Sequence, residues 1–246
     1  MNIKSAIIIG KNILKDQYIQ TAQLDTEILM AKAIDEDRKY IILNDQKNLK
    51  DTNLKYFEKL IKERASRKPI AYLVEQKFFW NSEFTVTNDT LIPRPDTELL
   101  VESILKLTKN KNKMNILDVG VGSGCVLLSI LKEKKNFYGT GIDISKKCIN
   151  ISKKNAIKLK LDSRVRFYKS DVDKFSLGKY DLIVSNPPYI KNYNLKYLER
   201  DVANFEPKLA LDGGLDGLLK IRKVIRKSSE LIKKNGKFIL EIGFDQ

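Results

Sequence analysis

Residues 115–143 read NILDVGVGSGCVLLSILKEKKNFYGTGID. A short apolar run, NILDVG (115–120), enters a glycine-rich turn and leaves it as CVLLSILKEKK, whose apolar residues recur at helical spacing. A second apolar run, FYGTGID (137–143), follows. A strand, a crossover helix and a second strand within so few residues make a βαβ unit. That unit predicts a parallel sheet covered on both faces.

The pattern continues on both sides. A helix is expected at 96–108, a helix over 124–134, a helix at 145–160, and the strand RVRFYKSD at 164–171. The strand DLIVSNP (181–187), a helix near 215–234 and the strand GKFILEIG (236–243) complete it. The fold class is therefore α/β and Rossmann-like. Residues 1–68 read differently: Leu24, Ile28, Ala31 and Ile34, then Leu54, Phe57, Leu60 and Ile61, keep helical spacing, and Pro69 ends the run. In KFFWNSEFTVTNDTLI (77–92), aromatic and β-branched residues flank polar turn residues, which predicts a hairpin. The expected division is a helical domain at 1–68, a hairpin linker at 69–95 and an α/β domain at 96–246.

Composition narrows the chemistry. The chain has 246 residues and no histidine, which excludes Ser-His-Asp triads, Cys-His dyads and histidine metal ligands. Cys125 and Cys148 are its two cysteines, too few for a disulfide framework or a four-thiolate metal site, so no metal is expected. No apolar stretch approaches the roughly 18 residues of a membrane span, and MNIKSAIIIGKN has too short an apolar centre for a signal peptide. A cytoplasmic location without membrane attachment is the expectation. The net charge of +15 comes mostly from dispersed lysines, which read as a solvated surface.

The turn Gly120-Val121-Gly122-Ser123-Gly124 lets a ligand approach the backbone, and it is expected to present unpaired amides at a helix N-terminus. Cys125 stands where the dinucleotide fingerprint wants Gly or Ala, and no lysine follows to hold phosphates. The bland alternative is a plain tight turn. Asp143 closes the second strand, where an acid can accept ribose hydroxyls. Its other reading is an N-cap, a role that Ser145 could take instead. Asp171 ends the third strand and suits an adenine neighbour or, equally, a turn. A nucleoside without phosphates, such as S-adenosylmethionine, fits these strand ends.

The strand DLIVS delivers Asn186-Pro187-Pro188-Tyr189. In a doubly wound sheet this fourth strand lies beside the first, at the switch point where ligands bind. The prolines stiffen the segment. The Asn186 side-chain oxygen and the Pro187 carbonyl could accept both hydrogens of a planar NH₂ group, with Tyr189 packed on the flat group. An Asn-Pro strand-ending turn is the structural alternative.

With LIPRPDTELLVE (91–102), ILDVGVGSG (116–124), GIDIS (141–145), IVSNPPYI (183–190), FEPKLALDGGLDGL (205–218) and FILEIGFDQ (238–246), nearly the whole chain resembles a bacterial enzyme family. That family is the protein-(glutamine) methyltransferases acting on class 1 peptide-chain release factors. The resemblance implies a helical N-terminal domain that helps recognise the release factor, and a catalytic domain of the seven-stranded methyltransferase type. It implies that Gly120, Val121, Gly122, Ser123, Gly124, Asp143 and Asn186 bind S-adenosylmethionine, with Asp171 or Val172 near the adenine. Many family members carry an aromatic residue where this chain has Val172. Asn186, Pro187, Pro188 and Tyr189 would bind the target glutamine, with Asn186, Pro187 and Tyr189 catalytic. Arg94 would lie near the site or form a surface ion pair with Asp96 or Glu98. Similar proteins continue past FILEIG to supply two last strands, which are expected to be absent here.

Two alternatives share parts of this pattern. NPPY also occurs in adenine-specific nucleic-acid methyltransferases, but lysine far outnumbers arginine here and no target-recognition insertion is visible, so direct nucleic-acid binding is not expected. The ribosomal-protein glutamine methyltransferases resemble a VPRSP form, whereas this chain has IPRPD.

Overall fold

The computed structural model describes residues 1–246. The chain divides into two units, Met1–Glu75 with Arg200–Phe205, and Gln76–Glu199 with Glu206–Gln246.

The first unit is helical: α1 (Ile3–Asp16), α2 (Ala22–Ile34), α3 (Arg38–Leu43), α4 (Asp51–Ala65) and α5 (Ile70–Val74). Asn2 and Asp37 cap α1 and α3 by accepting the Ser5 and Tyr40 N–H groups. The helix does break before Pro69, α4 ending at Ala65, but Pro69 then serves as the N-cap of α5, so the helical region runs past Lys68. The core gathers Leu14, Leu29, Met30, Phe57, Leu60 and Ile61. The expected helix is present as α2; Leu24 is exposed on it, and the buried face carries Asp25, Thr26, Leu29 and Met30. Asp25 occupies that face because Arg64 of α4 meets it, with Nε donating to Asp25 Oδ2 at 2.7 Å. The same guanidinium donates through Nη1 to Asp201 Oδ2 at 2.7 Å and to the Lys68 carbonyl. The segment Arg200–Phe205 is thereby tied to this unit.

The second unit begins with a hairpin, β1 (Gln76–Phe79) and β2 (Ser82–Thr85), joined through Trp80-Asn81 and closed by an edge-on contact between Phe79 and Phe84. The elements that follow are α6 (Glu98–Leu107), β3 (Asn115–Val119), α7 (Cys125–Glu133), β4 (Tyr138–Asp143), α8 (Lys146–Lys158), β5 (Val165–Lys169) and β6 (Tyr180–Ser185). After these come α9 (Arg200–Phe205, of the first unit), α10 (Leu219–Leu231) and β7 (Ile232–Leu240). The five-stranded sheet is parallel throughout, in the order β5-β4-β3-β6-β7.

Side chains alternate across this sheet as the pleat requires. Ile116, Leu182 and Val184 join the cluster that includes α6, α7 and α8 residues such as Ile104, Leu127 and Ile149. Leu117, Val119, Ile142 and Ile183 face the other way, toward Val224 and Leu231 of α10. Both faces are covered, so the strands read as unbroken apolar runs. β7 follows α10 without a loop, and its pairing with β6 is interrupted between Ile232 and Lys237 before regular register resumes. This explains why only the part from Gly236 onward reads as a strand in the sequence.

Arg64→Ala would leave the buried Asp25 carboxylate without its cation. Breaking a buried pair from one side costs about 3–5 kcal/mol. Urea unfolding of the variant should show a loss of that size, and an unchanged midpoint would contradict the pairing.

Candidate active site

The sheet register builds the site. Val119 lies opposite Ile142 on one side and Ser185 on the other, and Ser185 lies opposite Leu240. The next residue of each strand is therefore Asp143, Gly120, Asn186 or Glu241, abreast at the carboxyl edge of four adjacent strands. Ligands of open α/β sheets bind at such an edge, where the strand order reverses.

The glycine turn differs from expectation in one respect. Four of its amides are already committed: Gly120 and Val121 donate to the Ile142 carbonyl, Gly122 donates to Asp143 Oδ2 at 3.0 Å, and Gly124 donates to the Val121 carbonyl. The turn is not a row of free donors, because the end of β4 takes three of these amides and the Val121 carbonyl takes the fourth. What it offers is clearance. Gly120 and Gly122 have positive φ (79° and 55°), and a Cβ on Gly120 would meet nothing within 4 Å. The turn is braced from behind by Ser152, whose Oγ donates to the Gly122 carbonyl, and by Asn155, whose Nδ2 donates to the Ser123 carbonyl. The side chains of Val121 and Ser123 point into the protein and are buried, so only their backbone borders the open side.

Ser145 caps α8 by accepting the Cys148 N–H, as its position suggested. Asp143 is nonetheless not idle: its two oxygens accept the Gly122 and Ser145 N–H groups. Each oxygen keeps a further lone pair for a ligand hydroxyl. Burial pushes the Asp143 carboxyl above its ordinary range, against these hydrogen bonds. Asp171 lies beyond the end of β5 and takes the turn role, with Oδ1 accepting the Asp173 N–H. Val172 packs against the α10 face of the core.

Asn186 and Pro187 follow β6 directly, and Pro187 is buried. Asn186 Nδ2 donates to Thr97 Oγ1 at 3.1 Å. No protein donor bonds its Oδ1, which leaves that oxygen as a fixed acceptor. Tyr189 Oη donates to Glu241 Oε1 at 3.4 Å. The segment after Pro188 is clamped from the backbone: Ile190 N–H donates to the Leu211 carbonyl, and Gly213 N–H donates to the Ile190 carbonyl. A Cβ on Gly213 would come within 2.8 Å of the Tyr189 backbone, so this approach requires glycine. The GG in LALDGGLDGL thus has a packing reason.

Arg94 pairs with neither Asp96 nor Glu98. Its Nη2 donates to the buried Glu206 at 2.5 Å, and Glu206 also accepts the Ile92 N–H. Glu98 accepts the Trp80 N–H instead. The two motifs LIPRP and FEP are therefore the halves of one ion pair.

Sequence reasoning missed Thr97, Glu206, Glu241 and Asp118. The first three lie within motifs quoted for the resemblance, but their partners are met across the fold, so no local pattern shows their roles. Asp118 had one: an acid inside the apolar run ILDV. Burial, and next the charge of Asp143, push the Asp118 carboxyl up to about 7. Burial likewise pushes the thiols of Cys125 and Cys148 up to about 12, so neither is a nucleophile at neutral pH. No three His, Cys, Asp or Glu side chains converge as a metal site, and no helix is long and apolar enough to cross a membrane.

A glycine turn, a strand-end acid and an Asn-Pro-Pro-Tyr edge on a sheet of this order define a Rossmann-like methyltransferase. Residues 95–215 match the methyltransferase small domain family, and residues 5–74 match the PrmC N-terminal domain. Over its whole length the chain is 36% identical to a release factor glutamine methyltransferase of Clostridium botulinum, covering 88% of that protein. It is 36% identical to the one of Buchnera aphidicola, again over the whole chain and 87% of the relative. Against the one of Caulobacter vibrioides it is 34% identical, over 96% of this chain and 82% of that one. The chain belongs to the release factor glutamine methyltransferase family.

The Asp118 carboxyl sets a pH dependence of stability. Unfolded, it titrates near about 3.9. Between that value and about 7 the native state holds the extra proton, so stability falls as pH rises through this window and levels off above it. Asp118→Asn removes the penalty. Its melting temperature relative to the unsubstituted protein should rise from about pH 4 to about pH 7 and stay level above that. A difference that does not change with pH would contradict the buried, proton-holding carboxyl.

Proposed function

We propose that this protein methylates the side-chain amide nitrogen of a glutamine in class 1 peptide-chain release factors, with S-adenosylmethionine as methyl donor. The observation that carries the reading is the Asn186 side chain, tied through Nδ2 to Thr97 so that Oδ1 remains an acceptor at the carboxyl edge of β6.

The residues present fit the donor. The open space over Gly120 and Gly122 suits a ligand lying against the turn, Asp143 keeps acceptor capacity for ribose hydroxyls, and the turn carries no cation for phosphates. When bound, S-adenosylmethionine supplies an electrophilic methyl group on a sulfonium. The protein's part is positioning. Asn186 Oδ1 and the Pro187 carbonyl would accept the two hydrogens of the glutamine amide, and Tyr189 would pack on its plane. The amide nitrogen, whose lone pair is delocalised, is thereby held with one face toward the methyl group. As the nitrogen–carbon bond forms and the sulfur–carbon bond breaks, the nitrogen becomes acidic, and its proton leaves through the same acceptors. Orientation of this kind supplies up to about 7–11 kcal/mol of barrier lowering.

An acceptor pair of this geometry would also suit the NH₂ of adenine, so the pocket alone does not choose the substrate. The curated relatives favour release factors over nucleic acid or ribosomal protein. The helical unit supports the same choice. Ile9 and Ile13, one turn apart on α1, and Ile42 and Leu43 at the end of α3 stay exposed, an apolar surface suited to a protein partner. Recognition of the release factor is assigned to this unit, and a cytoplasmic location follows from such a substrate.

Intact release factor and DNA, each incubated with the enzyme and labelled S-adenosylmethionine, separate the readings. Mass spectrometry should find one methyl group on a release-factor glutamine; label on DNA adenine with none on protein would overturn the assignment. In calorimetry, Asp143→Ala should weaken S-adenosylmethionine binding by about 1.5–3 kcal/mol, the scale of hydrogen bonds to a charged group. Asn186→Ala should lower the single-turnover rate by more than it weakens either partner's binding.

A further inference from the structure

Glu241 follows β7 and is bound to the sheet through its own N–H, which donates to the Ser185 carbonyl. Its side chain reaches the Asn186–Tyr189 segment: Oε1 accepts from Tyr189 Oη, while Oε2 is buried with no hydrogen-bond partner. The Thr97 and Asn186 side chains lie against the same carboxyl, and both favour its ionised form. A buried carboxylate oxygen left without a donor is costly unless the site uses it.

The use follows from a symmetry problem. A side-chain amide can turn over, exchanging its oxygen for its NH₂, and the two orientations fit nearly the same space. For Asn186 the exchange would be fatal to the proposed chemistry, since an NH₂ would then face the substrate NH₂, donor against donor. Thr97 cannot settle the choice alone, because a hydroxyl both donates and accepts. An ionised carboxylate only accepts.

We propose that Glu241 is a positioning residue whose carboxylate fixes the orientation of the Asn186 amide, keeping Nδ2 toward Thr97 and Glu241 and Oδ1 toward the substrate. This rests on the methyl-transfer reading given above. The groups facing Glu241 are Asp96, from the turn Pro95–Thr97, and Tyr189; Arg94, paired with Glu206, acts on Tyr189. Burial, and the charge of Asp96, hold the Glu241 carboxyl above the ordinary carboxylate range. Once protonated, Glu241 can itself donate, and the amide orientation is no longer enforced. Turnover should therefore fall as pH drops through that raised value.

Glu241→Gln keeps the shape but puts an amide, which donates as well as accepts, in place of the pure acceptor. Its kcat at neutral pH should fall by about tenfold or more, the rate equivalent of one hydrogen bond, with KM for release factor little changed. The acidic limb of the wild-type pH–rate profile should be absent from the variant. Retention of that limb, or a loss confined to KM, would overturn the proposal. A second measurement is independent of activity. In the wild-type protein the Asn186 side-chain NH₂ resonances should shift with pH together with the Glu241 carboxyl carbon, and in Glu241→Gln they should not. Asn186 resonances that ignore pH in the wild type would also overturn it. A wild-type enzyme that methylates no glutamine would defeat the functional reading instead, and the resonance titration would still decide the role of Glu241.

Discussion

The parallel pairing of β3 with β6 governs this molecule. Its register sets Val119 against Ser185, and the neighbouring pairings extend that row to Ile142 and Leu240. Asp143, Gly120, Asn186 and Glu241 follow one residue later. A slip of one residue would exchange the two faces of the shifted strand, burying what should border the ligand. The apolar alternation that fills the two cores is thus also what aligns the polar edge. Ser185 contributes to both, since its buried Oγ donates to the Val119 carbonyl at 2.6 Å.

Behind that edge lies a second layer of buried polar contacts. Asn155 is fully buried, yet its amide bonds both the N–H and the C=O of Thr85 on the hairpin and the Ser123 carbonyl of the glycine turn. Ser152 and Asp143 hold Gly122 from its two sides. The turn is therefore shaped before any ligand arrives, which limits the ordering cost of binding. The hairpin, read in the sequence as a linker, has a structural part in that shaping.

The alternation of strands and helices was legible because each strand is an apolar run bounded by turn residues, and the glycine turn and NPPY were legible because they are contiguous. Two pairings were hidden for a common reason. Glu206 and Arg94, and Thr97 and Glu241, meet only after folding, across sequence separations that no local pattern spans. The burial of Asp25 on α2 was not legible, because spacing shows the helix but not the Arg64 cation that meets this charge across the unit. The amides of the glycine turn were expected to be free because sequence shows the glycines but not the bends that let Ile142 and Asp143 accept from them. Asp118 was visible and was passed over.

The Arg64 cluster also has a consequence for the order in which the chain is made. The first unit closes on itself through α5, but one ligand of its central guanidinium, Asp201, comes from a segment flanked on both sides by the second unit. During synthesis from the N-terminus, Arg64 emerges with Asp25 alone as its counter-charge, and waits while the glycine turn and the whole of β3 to β6 are translated. Only when residues 200–205 have left the ribosome can the first unit reach its final charge balance. The apolar core of the helical unit is drawn entirely from residues 3–74 and needs nothing translated later, so only the polar clasp around Arg64 waits for the chain to pass the Asn-Pro-Pro-Tyr segment.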